Sequence, residues 1–544
     1  MILEHIEIKA FRGISYLSLP FKQTMLLIGE NTWGKSSLLD ALSLSLSPQG
    51  MDYSFTSRDF FQPQEEPRAH RCHILLTLSF GPEAEALPDS LKTLLTGAPS
   101  ERRVLRYGVY AVLEGENARQ YCRFPDVPEL SDAVASEAAE TLRRLFPVLR
   151  LRDARFNPRQ PASHRRLADA TDASKSAAQL TTLSGRFADP TRGVNADMIR
   201  QALETLHQLA DHYFRIQRSA VPSDRQEILS LRNELPWQQL SNLSRRISAM
   251  PGNERDPWLL ALFMAVAQPQ ATDSFSDRVR PILLLEDPET RLHPRMLSVT
   301  WEFLSLLPLQ KIVTTNSAEL LSMVTLENIC RLDRGRQSTT SRQLSAGQLP
   351  ADELRKITFH IQVNRPSALF GRCWLLVEGE TEVWMINELA RLSGLSLTSE
   401  GIYVVEFAQA GLRPLLKYAR LMGIPWHVLT DGDEAGNKYA TVAQSQLSEQ
   451  QQVRHHLTRL PAKDIEHYFY RQGFADVYRE VAGLPPESGV NMHRVITRAI
   501  QRSSKPSLAI AVSSAVAGRG VQSIPMLLRR MLGRVRGLAQ GKYP

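Results

Sequence analysis

The chain has 544 residues, 43% hydrophobic and 22% charged, a globular composition too long for one ordinary core, so roughly two to four domains are expected. The start, Met1-Ile2-Leu3-Glu4-His5-Ile6-Glu7, holds acids and no apolar leader block, and no stretch of about 18 uncharged apolar residues offers a membrane span; the four cysteines (Cys72, Cys122, Cys330, Cys373) form no C-x-x-C pair, so a zinc ribbon and a disulfide framework are excluded and a reducing cytoplasm is expected. The net charge of +8 is uneven, because ten Lys or Arg lie between Arg494 and Lys542 with no acid after Glu487; this reads as a basic tail, either a surface for a polyanion or a solvated face paired with the rest of the protein.

In chain order, Ile2, Leu3, Ile6 and Ile8 predict a strand broken at Phe11-Arg12-Gly13. LSLPF and TMLLIG predict two more, the second running directly into a glycine-rich loop, and residues 36–46 predict the following helix. Gly29-Glu30-Asn31-Thr32-Trp33-Gly34-Lys35-Ser36 fits G-x-x-x-x-G-K-[ST] in the strand–loop–helix setting that this motif requires. Its amides are expected to cradle the phosphates of ATP, with Ser37 in the same cradle. Lys35 would reach the β and γ phosphates, and Ser36 would bind Mg²⁺. Residues 72–80 and 103–113 predict strands.

Residues 1–129 are thus expected to form the first part of a nucleotide-binding unit. From 130 to 245, Leu and Ala recur at helical spacing among Arg, Asp and Gln, predicting a helical insert that could be an arm, a dimerisation element or a lid. Residues 246–345 complete the unit: PILLL at 281–285 is a buried strand ending in Glu286 and Asp287, and 310–315 is another. Paired acids at a strand end are costly unless a metal or water uses them, so Glu286 is expected to hold Mg²⁺ and Asp287 to polarise the attacking water.

A linker is expected at 346–370 and a second α/β unit at 371–544. RCWLLVE, IYVVEFA and WHVLTDGD alternate with helical stretches, which argues a parallel sheet. Glu378 ends the first of these strands, with Glu382 on the next helical turn. Asp431 and Asp433 end the third, and Lys463-Asp464-Ile465-Glu466 follows. Acids arriving at strand ends make a site for two divalent ions, Mg²⁺ or Mn²⁺.

These motifs together carry a resemblance. The Phe11-Arg12-Gly13 start, the long gap between the P-loop and the acidic strand, and EDPETRLHP at 286–294 resemble ABC-type ATPases of the RecF/SMC/Rad50 class. E-G-x-x-E at Glu378–Glu382 followed by D-x-D at Asp431–Asp433 resembles the Toprim pattern. The combination resembles the OLD (overcoming lysogenisation defect) family of ATP-dependent nucleases. The resemblance implies an α/β chain: an ABC-type P-loop ATPase with a helical insert, followed by a Toprim-like parallel-sheet domain. It implies Glu378, Glu382, Asp431, Asp433 and Glu466 as metal ligands, with Glu378 and Asp431 essential to cleavage, and Lys505 as the lysine that stabilises the pentavalent phosphate.

It further implies DNA as substrate, and a homo-dimer or dimer of dimers, since sites of this class are closed by a second subunit. Gly252 and the helix after it fit the signature motif that caps the partner's nucleotide, although Pro251 stands where that motif has Ser. In Thr314-Thr315-Asn316-Ser317, Asn316 occupies the place of a γ-phosphate-sensing His; Asn donates a hydrogen bond but carries no charge, so ATP is expected to bind and turn over slowly. His293 is expected to pack or to serve an interface. Gln62 is either a link between Mg²⁺ and the sheet or a surface glutamine. The alternative function is a non-cutting, ATP-dependent DNA-binding or clamp protein, which leaves the E-G-x-x-E and D-x-D set unexplained; a separate helicase partner is also compatible.

Overall fold

The computed structural model describes residues 1–47, 53–63, 67–97, 102–115, 117–151, 184–185, 187–188, 194–214, 234–267, 279–290, 292–335, 338–486 and 489–543. The Ser/Ala/Thr-rich stretch at 162–195, which its composition predicts to be rich in loops, falls almost wholly outside the described residues. The chain divides into two compact units, Met1–Val324 with Asn328–Ser341, and Thr325–Glu327 with Arg342–Pro544.

The first unit holds two sheets. One is antiparallel, in the order β2-β1-β4-β5-β6: β1 (Ile2–Phe11), β2 (Ile14–Pro20), β4 (Arg71–Phe80), β5 (Arg103–Glu114) and β6 (Asn117–Arg123). The other has the order β11-β10-β3-β9-β8-β7: β3 (Thr24–Ile28), β7 (Val148–Leu151), β8 (Ile282–Glu286), β9 (Lys311–Thr314), β10 (Ile329–Arg334) and β11 (Thr339–Gln343). From β10 to β7 the pairs are parallel. Their sequences are near-continuous apolar runs because both faces are covered, and Ile282–Leu285 and Ile312–Val313 are buried. One core, from Leu3, Ile6 and Ile8 to Leu284 and Ile312, is shared by the two sheets and by α1 (Lys35–Ser45).

The expected helical insert is only partly helical. It contains α2 (Asp132–Leu145), α3 (Ala196–Phe214) and α4 (Glu234–Ser248), which is followed by α5 (Gly252–Ala267). But Pro147 stops the helical run, and Val148–Leu151 is strand β7, paired with β8 from Val148↔Ile282 to Leu151↔Leu285. This stretch belongs to the central sheet.

The second unit is a four-stranded parallel sheet, β13-β12-β14-β15: β12 (Cys373–Val377), β13 (Ile402–Glu406), β14 (Trp426–Thr430) and β15 (Leu457–Arg459). Crossover helices are α7 (Glu380–Leu392), α8 (Leu412–Leu421) and α9 (Glu434–Ser445). The C-terminal stretch is no tail. It forms α12 (Met492–Arg502), α13 (Lys505–Arg519) and α14 (Met526–Ala539), after α10 (Ile465–Phe469) and α11 (Ala475–Ala482). Val495, Ile496, Leu508, Val512, Leu528, Met531 and Val535 enter the same core as Leu375 and Ile386, while Arg494, Arg498 and Arg530 stay exposed. The basic residues are the outer faces of packed amphipathic helices. All four cysteines are buried free thiols, and no helix among the described residues is long and apolar enough to cross a membrane.

Candidate functional site

Strands β3, β8 and β9 lie side by side and parallel, so their C-terminal ends open on one edge, where ligands of open α/β sheets bind. Gly29 (φ 146°) leaves β3, Asn31–Trp33 make a 3₁₀ turn, and Gly34 (φ 96°) turns the chain into α1 at Lys35. A Cβ on Gly34 would lie 2.9 Å from Ile14 Cγ1, so both its positive φ and its packing require glycine. Glu30 is partly buried, Asn31, Thr32 and Ser36 are exposed, and Ser37 is partly buried. The Thr32 carbonyl accepts a bond from Arg334 (3.1 Å), and Arg331 lies over the Trp33 ring at 5.6 Å.

Lys35 is buried, and its Nζ donates to the Gly29 carbonyl at 2.5 Å and to Asn316 Oδ1 at 2.7 Å. Burial lowers its pKa, against the opposing pull of Asp287 and Glu289. The P-loop lysine, Asp287 and Asn316 are therefore together. Asp287, at φ 45°, is fixed by its amide bonding to the Thr314 carbonyl (3.0 Å) and by Thr314 Oγ1 donating to its Oδ1 (3.2 Å). Glu286 is engaged elsewhere: Arg150 donates to its Oε2 from Nε (2.9 Å) and Nη2 (2.6 Å) and also pairs with Asp40. Asp40 in turn pairs with Arg12, which also holds Asp59 at 2.8 Å. Sequence reasoning missed two members of this edge. Glu289 accepts from the Asn316 amide (2.7 Å) and the Thr315 hydroxyl (3.0 Å), and burial raises its pKa. Arg150 was hidden in the stretch read as helix. Gln62 is exposed, its Oε1 taken by Arg68 at 2.7 Å. His293 caps α6 (Pro294–Leu306), its Nδ1 accepting from the Arg295 amide at 3.3 Å.

The second edge is the C-terminal end of β12 and β14. Glu378 follows β12, and its Oε2 is buried with no hydrogen-bond partner; burial and then Asp433 raise its pKa. Glu382, on the first turn of α7, accepts from the Gly379 amide at 3.0 Å and is raised by burial and by Glu466. Asp431 follows β14 and is pushed up to about 8, first by burial and then by Glu382, Glu378, Asp464 and Glu466. Asp433 caps α9 through the Gly436 amide at 2.8 Å. Gly436 passes so close to Asp431 that a Cβ there would lie 2.1 Å from its carbonyl oxygen. Glu466 is buried on α10, 3.3 Å from Lys505 at the start of α13. Burial alone would lower the Lys505 pKa, but Glu466, Glu382 and Asp464 outweigh it and raise it.

All six expected residues thus share one electrostatic neighbourhood. Among the described residues, however, no three His, Cys, Asp or Glu side chains converge into a ready-made metal cage. Asp464, quoted in the sequence string but given no role, caps α10 and bonds His467 Nδ1 at 2.6 Å; the His467 bonds, outweighing burial, lower its pKa. His493 continues this chain, 3.4 Å from His467 Nε2. The D-x-x-H spacing at a helix start was the available sign.

Residues 1–368 match the family described as "Protein of unknown function (DUF2813)", and residues 369–433 match "Overcoming lysogenization defect protein-like, TOPRIM domain". The chain is 44% identical over 573 aligned residues, all of this chain and all of the relative, to "Uncharacterized protein YbjD" of Escherichia coli (strain K12). It is 27% identical over 203 residues, 35% of this chain and 34% of the relative, to the "Old nuclease" of Escherichia phage P2. A solved Smc head bound to the C-winged helix domain of ScpA aligns over 64% of this chain and 99% of its own, at 15% identity and a TM-score of 0.34. The P-loop leaving a strand of a largely parallel sheet fits the P-loop unit expected, and the second parallel sheet and the Toprim match fit the Toprim-like domain expected. The chain belongs to the family described as protein of unknown function DUF2813, and its second unit carries the Toprim domain of OLD-like proteins.

Proposed function

We propose that the chain is an ATP-dependent, divalent-metal-dependent DNA endonuclease that hydrolyses phosphodiesters at the Toprim edge. One observation carries the reading: Glu378, Glu382 and Asp431 are each raised above the ordinary carboxylate range at the end of a parallel sheet, first by burial and then by neighbouring acids, Asp431 to about 8. Such mutual repulsion has no structural benefit, and perturbed acids at a strand-end edge mark a functional site. The donors fit hard divalent cations, which take carboxylate oxygen, and the buried, partnerless Glu378 Oε2 is a free ligand atom. Glu378, Glu382, Asp431, Asp433 and Glu466 would hold Mg²⁺ or Mn²⁺. Bound there, the ions would offset the charge of the phosphodiester and make water a competent nucleophile near neutral pH. Lys505, held beside Glu466, places a fixed positive charge where the phosphate gains charge in the transition state. Glu378 and Asp431 set the positions of the ligand oxygens, and the close passage of Gly436 holds the Asp431 backbone in place.

At the first edge, the Gly29–Ser37 loop and Lys35 hold ATP phosphates. Ser36 and the second oxygen of Glu286 are available to Mg²⁺, because Arg150 bonds fall on Oε2 alone. Asp287, anchored by Thr314, orients water. Asn316 meets the γ-phosphate after its oxygen leaves Lys35. The slow turnover expected from Asn316 and Pro251, and a dimer or dimer of dimers that closes the nucleotide site, belong to the same reading. The test is nicking of supercoiled plasmid by the full chain with Mg²⁺ or Mn²⁺, with and without ATP. Nicking that EDTA stops, and that Glu378→Ala and Asp431→Ala each abolish with ATP binding intact, is the expected result. No cutting of supercoiled, linear or single-stranded DNA with either ion overturns the reading in favour of a non-cutting DNA clamp.

A further inference from the structure

A cleft of about 710 Å³ opens beside the acid edge, lined by Gly432, Asp433, Arg459, Lys463 and Arg471 among others. Arg459 ends β15. Lys463 stands in the loop before α10. Arg471 lies in the kinked segment between α10 and α11, where Gly473 has φ 98°. All three basic side chains are exposed, and none makes an ion pair with a described residue. This separates them from Lys505, which Glu466 engages, and from Arg519 and Arg536 on the C-terminal helices, which pair with Asp476 and Glu400. Three free cations around one concavity cost self-repulsion and serve a polyanion.

The cleft also meets the acid edge directly, since Asp433 belongs to both. Gly432 brings the end of β14 so close to the chain after β15 that a Cβ would lie 2.3 Å from the Ala462 carbonyl oxygen, so the two walls are fixed against each other. A phosphodiester is repelled by five carboxylates. A strand approaching them needs a cationic hold just outside, and the cleft supplies it on the side of Asp433. No aromatic residue lines it, so it lacks stacking platforms for bases and contacts made there carry no sequence.

We propose that Arg459, Lys463 and Arg471 form a phosphate-backbone subsite that holds a nucleic-acid strand alongside the acid edge, and that the exposed arginines of α12 do not. The inference rests on the nuclease reading for its choice of substrate, but it is tested without cleavage. The full chain in EDTA is titrated into fluorescently labelled single-stranded DNA, duplex DNA and single-stranded RNA over a range of salt, with fluorescence anisotropy as readout. Arg459→Ala/Lys463→Ala/Arg471→Ala is expected to weaken binding about tenfold or more and to flatten the slope of log affinity against log salt by about two to three, the loss of three phosphate contacts. Arg494→Ala/Arg498→Ala is expected to leave both unchanged, and Arg459→Lys/Arg471→Lys to keep most of the affinity, which separates lost charge from lost fold. Equal effects on DNA and RNA mark a backbone contact, and an effect on one polymer alone assigns the strand. Unchanged affinity and slope in the triple alanine variant, or a wild-type chain that binds no nucleic acid, overturns the subsite. Wild-type binding through the cleft without any metal-dependent cutting overturns the nuclease reading and leaves the subsite standing. Cutting with an indifferent cleft does the reverse.

Discussion

The two sheet edges solve opposite electrostatic problems. At the P-loop edge these charges have internal partners: Lys35 with Gly29 and Asn316, Glu286 with Arg150, Asp40 and Asp59 with Arg12. At the Toprim edge Glu378, Glu382 and Asp431 are raised above their ordinary range beside Asp433 and Glu466, with Lys505 among them. The first edge holds its shape before its anion arrives. The second stores repulsion that cations would relieve. Charge pairing thus distinguishes a preformed pocket for phosphate from a site whose geometry depends on what fills it.

The sharpest way to break this contrast is to remove one charge from each edge. Lys35→Ala is expected to reduce ATP affinity at least 100-fold by calorimetry while some metal-dependent, ATP-independent nicking remains. Asp431→Asn is expected to abolish nicking with ATP affinity unchanged. Loss of both activities in either variant would show that the edges are not independent. Next in size is stability. The Asp431 carboxyl binds its proton more tightly folded than unfolded, so the metal-free protein loses stability as pH rises from about 4 to about 8. Millimolar Mg²⁺ or Mn²⁺ at pH 8 should recover it, by about 2.7 kcal/mol at 100 times the dissociation constant. Scanning calorimetry checks both, and a pH dependence that survives in Asp431→Asn would assign it to other groups.

A smaller effect is expected from Asn316→His, which restores a cationic side chain near the γ-phosphate and should raise ATP turnover several-fold above a slow wild-type rate. A wild type that turns over tens of ATP per second would remove the argument. Smallest is Gln62→Ala: because Gln62 is exposed and held by Arg68, ATP turnover should change less than twofold. A large loss would make it a Mg²⁺ link instead.

What the sequence made legible were elements with local signatures. β3, β8, β9, β12 and β14 are short apolar runs ending in glycine or acids, and burial on both faces made those runs unmistakable. The parallel pairing of β12, β13 and β14 followed from strands alternating with helices, and the gathering of Glu378, Asp431 and Glu466 is what the Toprim resemblance implies. Other features depended on contacts far apart in sequence. Arg150 binds Glu286 from 136 residues away, so nothing near it marked β7 as a strand. Net charge misled at the C-terminal segment, because a count of arginines cannot distinguish a solvated tail from the outer face of a packed helix. The i, i+3, i+4 spacing of Leu528, Met531, Leu532 and Val535, which pack into the core, carries that information.

The placement of β3 also has a consequence for how the protein comes into being. The strand that delivers the P-loop pairs on one side with β9, Thr24↔Lys311, and on the other with β10, Leu26↔Ile329. Both neighbours lie about 300 residues downstream. Closing loops of that length is entropically costly, and domains ruled by such distant pairings fold slowly. A nascent chain would therefore carry its glycine loop on an apolar strand with two open edges until β9 and β10 had been made. Nucleotide binding would be acquired only after β9 and β10 had been made, although the motif that specifies it is translated long before them.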